Sequence, residues 1–230
     1  MRIIRRILIT LLILIILLFL GVLLIWYGTK LEPTFYKNLA INNPERAKLN
    51  SDAMKRKINE LLRDLQKPTE HEWMLEFTEY ELNHWLELDL KKNHPGALSS
   101  RVSDPRGEIR EEFISCGAHV DARWQGYEYD GVVSVDFLPI IESPNVFRFK
   151  ILTVRAGVVP LPKTYVLQLL TKLAGDLAVK VEWLREDGYH ILRVPLEPGM
   201  LRSSDGRDIT VKKIELGHGK MLIRGTIAAK

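Results

Sequence analysis

The sequence predicts an α+β protein: a single transmembrane helix followed by a curved antiparallel β-sheet packed on amphipathic helices. Three observations carry that expectation. Residues 7–26 form an uninterrupted apolar run. Two later stretches, within residues 51–67 and 77–90, repeat apolar residues at helical spacing. Beyond residue 108 the apolar period shortens to two, the period of a half-buried strand.

The apolar run, ILITLLILIILLFLGVLLIW from Ile7 to Trp26, carries no charge and has only Thr10 as a polar residue. At about 1.5 Å of rise per residue it reaches roughly 30 Å, the thickness of a bilayer's hydrocarbon core. Arg2, Arg5 and Arg6 precede it, which favours a cytoplasmic N-terminus and places the rest outside the cytoplasm, in the periplasm or at the cell exterior. Trp26 and Tyr27 stand where interfacial aromatic anchors belong. A cleaved signal peptide has a shorter apolar region and a small-x-small site after it, and IWYGTKLEP offers no such site. The expected organisation is therefore an anchor over 1–28, a juxtamembrane stalk over 29–50 and an extracytoplasmic α+β domain over 51–230. The lipid bilayer is the expected partner of residues 7–26.

Three of the four excess positive charges are the arginines at the start of the chain, and no dense Lys/Arg run with interleaved aromatics follows. The charge reads as an insertion signal, and no nucleic-acid partner is expected. The single cysteine, Cys116, allows no intramolecular disulfide.

Within SDAMKRKINELLRDLQK, Met54, Ile58, Leu61, Leu62 and Leu65 form one helical stripe, with Ser51 or Asp52 as cap and Pro68 beyond the end. The next helix is read in FTEYELNHWLELDL, residues 77–90. Thr78 and Glu81 have capping-box spacing, Phe77 and Leu82 occupy the positions of a hydrophobic staple, and HPG at 94–96 supplies a stop. A third helix follows PLP, in KTYVLQLLTKLAGDLA, with Val166, Leu169, Leu170 and Leu173 on one stripe and Pro162 before its start.

The strands announce themselves by alternation. In ISCGAHVDARW the apolar residues are Ile114, Cys116, Ala118, Val120, Ala122 and Trp124, every second position. VVSVDFLP and NVFRFKILTV continue in the same manner, and VKVEW, EDG, YHILRVP reads as a hairpin. A second hairpin joins ITVKKIEL to KMLIRGTI through GHG. In its first strand Ile209 and Val211 are odd while Ile214 and Leu216 are even, so the phase flips at Lys212–Lys213 and predicts a β-bulge.

The motifs for chemistry are sparse. The six histidines include no H-x-x-x-H pair, and there is neither Cys-x-x-Cys nor G-x-S-x-G, so no metal, cofactor or catalytic residue is assigned and no enzyme activity is expected. Cys116 and His119 are three apart in a strand and point to opposite faces, which disfavours a thiolate–imidazole pair and leaves Cys116 as a small core residue. SSDG at 203–206 reads as a turn and GHG as a hairpin tip. Glu79, Glu81, Glu87 and Asp89 read as first-turn charge and a solvated face.

The order of elements, with its T-x-x-E-L-N-x-x-L helix (Thr78, Glu81, Leu82, Asn83, Leu86), resembles small anchored bacterial envelope proteins with a TULIP-like, tubular lipid-binding domain. The resemblance spans most of residues 77–230 and rests on short motifs. It implies a strongly curved sheet wrapped around a long helix, leaving an apolar groove for acyl chains. Leu82, Trp85 and Leu86 from the second helix and Val166, Leu169, Leu170 and Leu173 from the third would line it. The third helix ends near Gly175, short for a full tubular groove, which points to a half-module with a filled core. The function implied is a membrane-anchored module that binds a lipid or acyl-chain ligand in the cell envelope. The alternative is a structural or regulatory module that binds another envelope protein and no ligand. An envelope hydrolase with an unrecognised cluster of titratable groups is the third reading.

Overall fold

The computed structural model describes residues 2–93, 101–124, 127–162, 180–196, 201–203 and 205–229. Helix α1 covers Arg2–Lys30 and contains the whole apolar run. Among the described residues it supplies the one helix long and apolar enough to cross a membrane, with a mean hydropathy of 2.2 over its richest window.

The segment expected as a stalk folds against the sheet. Helix α2 (Thr34–Asn38) starts behind Pro33 and buries Phe35 and Tyr36. With Leu39 they cluster on Val132. Gly117 makes this possible, since a Cβ there would lie 3.1 and 3.2 Å from the two rings. Helix α3 (Pro44–Asp64) begins well before the expected cap. Its cap is Asn43, whose Oδ1 accepts the Arg46 N–H at 3.0 Å, with Pro44 in the first turn. The assignment of Ser51 or Asp52 as cap is therefore corrected: Ser51 is a buried mid-helix residue. On the stripe of α3, Met54, Ile58, Leu61 and Leu65 enter the core while Leu62 is 52% exposed, so Leu62 leaves the set.

Strand β1 (His71–Thr78) precedes the capped helix; Trp73 and Phe77 are buried between exposed Glu72, Met74 and Glu76. The capping box is formed: the Thr78 hydroxyl accepts the Glu81 N–H at 3.2 Å and Glu81 Oε2 accepts the Thr78 N–H at 2.8 Å. Helix α4 covers Glu79–Trp85. A π-helical turn, Leu86–Leu90, and the short α5, Lys91–Asn93, then follow, so the stretch from 77 to 90 is not one regular helix.

The remaining strands are β2 (Val102–Ile109), β3 (Ile114–Trp124), β4 (Tyr127–Ser143), β5 (Val146–Ala156), β6 (Val159–Pro160), β7 (Glu182–Glu186), β8 (Tyr189–Pro195), β9 (Ile209–Gly217) and β10 (Lys220–Ile227). Among the described residues the strands form two antiparallel sheets. The larger has the order β2-β3-β4-β5-β8-β7, with β6 also on β5, and the smaller has the order β1-β10-β9. Both expected hairpins are present, β7–β8 turning at Asp187 and Gly188 with positive φ. The phase flip is a bulge: Arg224 pairs with Lys213 and Gly225 with Val211, which leaves Lys212 unopposed. The helix expected after Pro162 lies outside the described residues.

Among the described residues, hydrogen bonds tie the sheets together at two junctions. At one, Asn145 sits at φ 63° in the β4–β5 turn, and its amide donates to the Ile209 carbonyl (3.0 Å) and accepts the Val211 N–H (2.7 Å). At the other, three hydrogen bonds form a ring. Ile109 N–H reaches Glu79 Oε2 (3.2 Å), Gly219 N–H reaches the Ile109 carbonyl (2.9 Å), and Glu79 N–H reaches the Gly219 carbonyl (2.9 Å).

Candidate functional site

The residues expected to line an acyl groove divide. Leu82 and Trp85 pack on the cluster of Met54, Phe77 and Ile109, so that part of the helix face meets the core. Leu86 is half-buried in the π-helical turn. Val166, Leu169, Leu170 and Leu173 lie outside the described residues. Asn83 holds edge strand β2 to α4: its amide donates to the Gly107 carbonyl (2.8 Å) and accepts the Gly107 N–H (2.7 Å), both buried. Of the proposed anchors, Trp26 and Tyr27 are 52% and 65% exposed at the end of α1, and Arg2, Arg5 and Arg6 belong to its first turns.

The end of α1 is built into the larger sheet. Gly28 is buried, and its carbonyl accepts the Val158 N–H at 3.1 Å. Gly157, at φ +57°, passes so close that a Cβ would lie 2.4 to 2.7 Å from the carbonyl oxygens of Gly28, Thr29 and Leu31. Lys30 Nζ donates to the Asp130 carbonyl (2.8 Å) and sits 4.9 Å from the centre of the Tyr129 ring. The Tyr129 hydroxyl lies between the carbonyls of Val132 (3.1 Å) and Thr29 (3.3 Å), and burial pushes its pKa up to about 12.

Beside this junction, between α2 and the β2–β3 turn, lies a pocket of about 290 Å³. Phe35, Phe113 and Val158 give it apolar walls; Arg110, Ser115 and Arg155 are among its polar lining. Its floor is an ordered triad. Asp136, 5% exposed, accepts from the Ser115 hydroxyl (2.8 Å) and from Arg155 Nη1 (2.8 Å). A buried carboxylate is tolerated only when paired and hydrogen-bonded in this way. Arg110 lies 5.2 Å from the Phe113 ring centre and pairs with Glu108 at 2.7 Å.

Arg110 and Phe113 also border a groove of about 780 Å³, edged by Glu79, Glu108, Glu111, Glu112 and His218. Glu79 is engaged in the hydrogen-bonded ring and Glu108 with Arg110. No group of three or more His, Cys, Asp or Glu side chains among the described residues could hold a metal ion. Cys116 and His119 point to opposite faces of β3, as strand parity requires. Burial, with Asp136 adding to it, pushes the Cys116 thiol up to about 12.

Ser115 and Asp136 escaped the sequence reading because they occupy the polar parity of their strands, where solvent exposure is the default expectation. Arg155 shares the sequence parity of Phe147, Phe149 and Ile151, and the β4–β5 register shift at Asp136/Phe137 brings it to the face of Asp136. The register of β3 with β4 sets Ser115 opposite Asp136 and that of β4 with β5 places Arg155 beside it, and no local pattern encodes either pairing. No protein-family model matches the chain, and neither a curated protein nor a solved structure matches it.

Proposed function

We propose that the chain is a single-pass membrane protein whose domain is fixed against the bilayer surface, where it binds a lipid or another hydrophobic ligand. The observation that carries this reading is the junction of α1 with the β5–β6 turn. A cleaved signal peptide is dispensable to the domain it precedes. Here cutting near residue 28 would remove the carbonyl that pairs with Val158 and uncover Gly157. The junction therefore supports a retained anchor. The arginines before the apolar run support a cytoplasmic N-terminus with the domain in the periplasm or at the cell exterior. A curved, TULIP-like sheet belongs to the same proposal; the register shifts in β4 at Asp136/Phe137 and Ile141/Ser143 support it, because bulges bend strands.

The test is native mass spectrometry of the full chain, extracted from membranes without delipidation. An intact N-terminus and a reproducible added mass of a phospholipid or fatty acid are expected. A chain beginning after residue 28, or a clean unliganded mass, would contradict the proposal.

The second reading is a structural or regulatory module that binds another envelope protein without a ligand. It is favoured by Leu82 and Trp85, whose side chains already belong to the packed core. One stoichiometric partner recovered from crosslinked membranes, together with a lipid-free mass, would select it.

A further inference from the structure

Resting on the reading of a bilayer-fixed, lipid-binding domain, we infer that the pocket between α2 and the β2–β3 turn holds the phosphate of a lipid headgroup, with Arg155 and Arg110 as its cationic contacts. Three features of the pocket converge on that ligand.

The first is the presentation of Arg155. Its guanidinium is a planar fork of five N–H donors, suited to phosphate oxygens. Asp136 takes Nη1, which fixes the plane of the fork, and the Ser115 hydroxyl holds the carboxylate in place. The Arg155 side chain remains 31% exposed and lines the pocket, so an oriented cationic edge is offered there. Asp136 does not oppose an anion in the manner of a free carboxylate, because both donors are directed at it. Its role is that of a positioning residue.

The second is the composition of the walls. Phe35, Phe113 and Val158 face the same space as the two arginines, and Val158 is 47% exposed. A free phosphate has no use for such walls, whereas the glycerol and first methylenes of a phospholipid do. At about 290 Å³ the pocket has room for a headgroup but not for two acyl chains, which would stay in the bilayer.

The third is position. The rim residues Gly157 and Val158 are those that grip Gly28, and Gly28 directly follows the interfacial pair Trp26 and Tyr27. With α1 across a bilayer, the pocket sits at headgroup depth.

The experiment uses the full chain in micelles of a phosphate-free non-ionic detergent, titrated with dihexanoylphosphatidylglycerol, dihexanoylglycerol and glycerol phosphate. The phosphatidylglycerol is expected to bind about tenfold more tightly than the diacylglycerol, the increment of one charge-assisted contact. Arg110→Gln, and Thr34→Glu at the exposed mouth of the pocket, should each weaken it about tenfold without changing the melting temperature.

Equal affinity for the two lipids, or variants without effect, would overturn the headgroup site. Glycerol phosphate binding as tightly as the lipid would assign the site to a free phosphate ester instead and overturn the lipid source. Flat titrations beside a wild-type chain that still carries co-purified lipid would remove the headgroup site alone. Flat titrations with no co-purified lipid would remove the lipid-binding reading as well.

Discussion

Val158 donates its backbone N–H to the carbonyl of Gly28 at 3.1 Å, joining the turn between two late strands to the end of the N-terminal helix. The bond is short-range in space and very long-range in sequence. It makes the apolar helix a structural element of the domain, with its own close-packed contact at Gly157.

Gly157→Ala tests that contact. A Cβ at this position meets three carbonyl oxygens at 2.4–2.7 Å, and the residue sits at φ +57°, which L-residues with a Cβ disfavour. Overpacking and backbone strain together should lower stability by about 2–4 kcal/mol. Limited proteolysis should show new cleavage between α1 and α2, and thermal unfolding of the full chain gives the magnitude.

Asn145→Gly separates side chain from backbone at the first sheet–sheet junction. Glycine tolerates the φ of 63°, so the loss should report the hydrogen bonds to Ile209 and Val211. About 1–3 kcal/mol of destabilisation is expected. Faster amide exchange at Val211, with little change at Ile191 in β8 of the other sheet, would locate the effect.

His84 should make the protein acid-sensitive. It is buried, its Nδ1 lies 3.0 Å from the Asn50 amide nitrogen, and its ring stacks on Tyr80. Burial lowers its pKa below the ordinary value of 6.5, with Arg46 adding to the effect and a hydrogen bond to the Tyr80 backbone opposing it. The unfolded chain then binds a proton more readily than the folded one, so stability rises with pH in this range. The contribution is fully present above the unfolded value of 6.5 and is lost as pH falls through the lowered folded value. Melting temperatures recorded from pH 7.5 down to 5 should fall more steeply for the wild type than for His84→Gln.

Cys116 should resist alkylation. A thiol pushed up to about 12 carries almost no thiolate near neutral pH, and thiolate is the reactive form. Cys116 is half-buried by accessible area, so iodoacetamide at pH 7.5 should label the folded chain far more slowly than the denatured one, in which it is labelled once. Rapid labelling of the folded protein would contradict the placement of this side chain.

Much of the architecture was legible because local signals agreed with it. The Thr78–Glu81 capping box, both hairpins and the bulge at Lys212 each arise from a few neighbouring residues whose chemistry has one good solution. Other elements were masked by stronger neighbours. In β1, Trp73, Leu75 and Phe77 alternate properly, but the run ends at the cap of α4 and was overshadowed by it. Strand β2 carries Pro105 and has Asp104 at positive φ, so it lacks the usual composition of a strand and depends on β3 and on Asn83 for its shape.

The supposed stalk failed for a related reason. Pro33 and Pro44 each open a helix within it, and the glycine that admits Phe35 and Tyr36 lies far along the chain in β3. The candidate pocket had no local sequence signature, since its apolar walls Phe35, Phe113 and Val158 come from separate parts of the chain. Its charged floor depends on the register of β3 with β4 and therefore on the completed sheet.

A helix bonded into a sheet acts as a lever. In a bilayer, single helices change their tilt when the hydrocarbon thickness changes. If α1 spans a bilayer as proposed, then with Gly28 gripped by Gly157 and Val158, and Lys30 pinned over Tyr129, rotation of α1 would be transmitted to the end of the larger sheet where β4 begins and β5 ends instead of dissipating in a linker. A thinner membrane would therefore lean the whole domain toward the lipid plane, and a thicker one would raise it. The same glycine contact that looks like a packing detail would make domain height a gauge of membrane thickness.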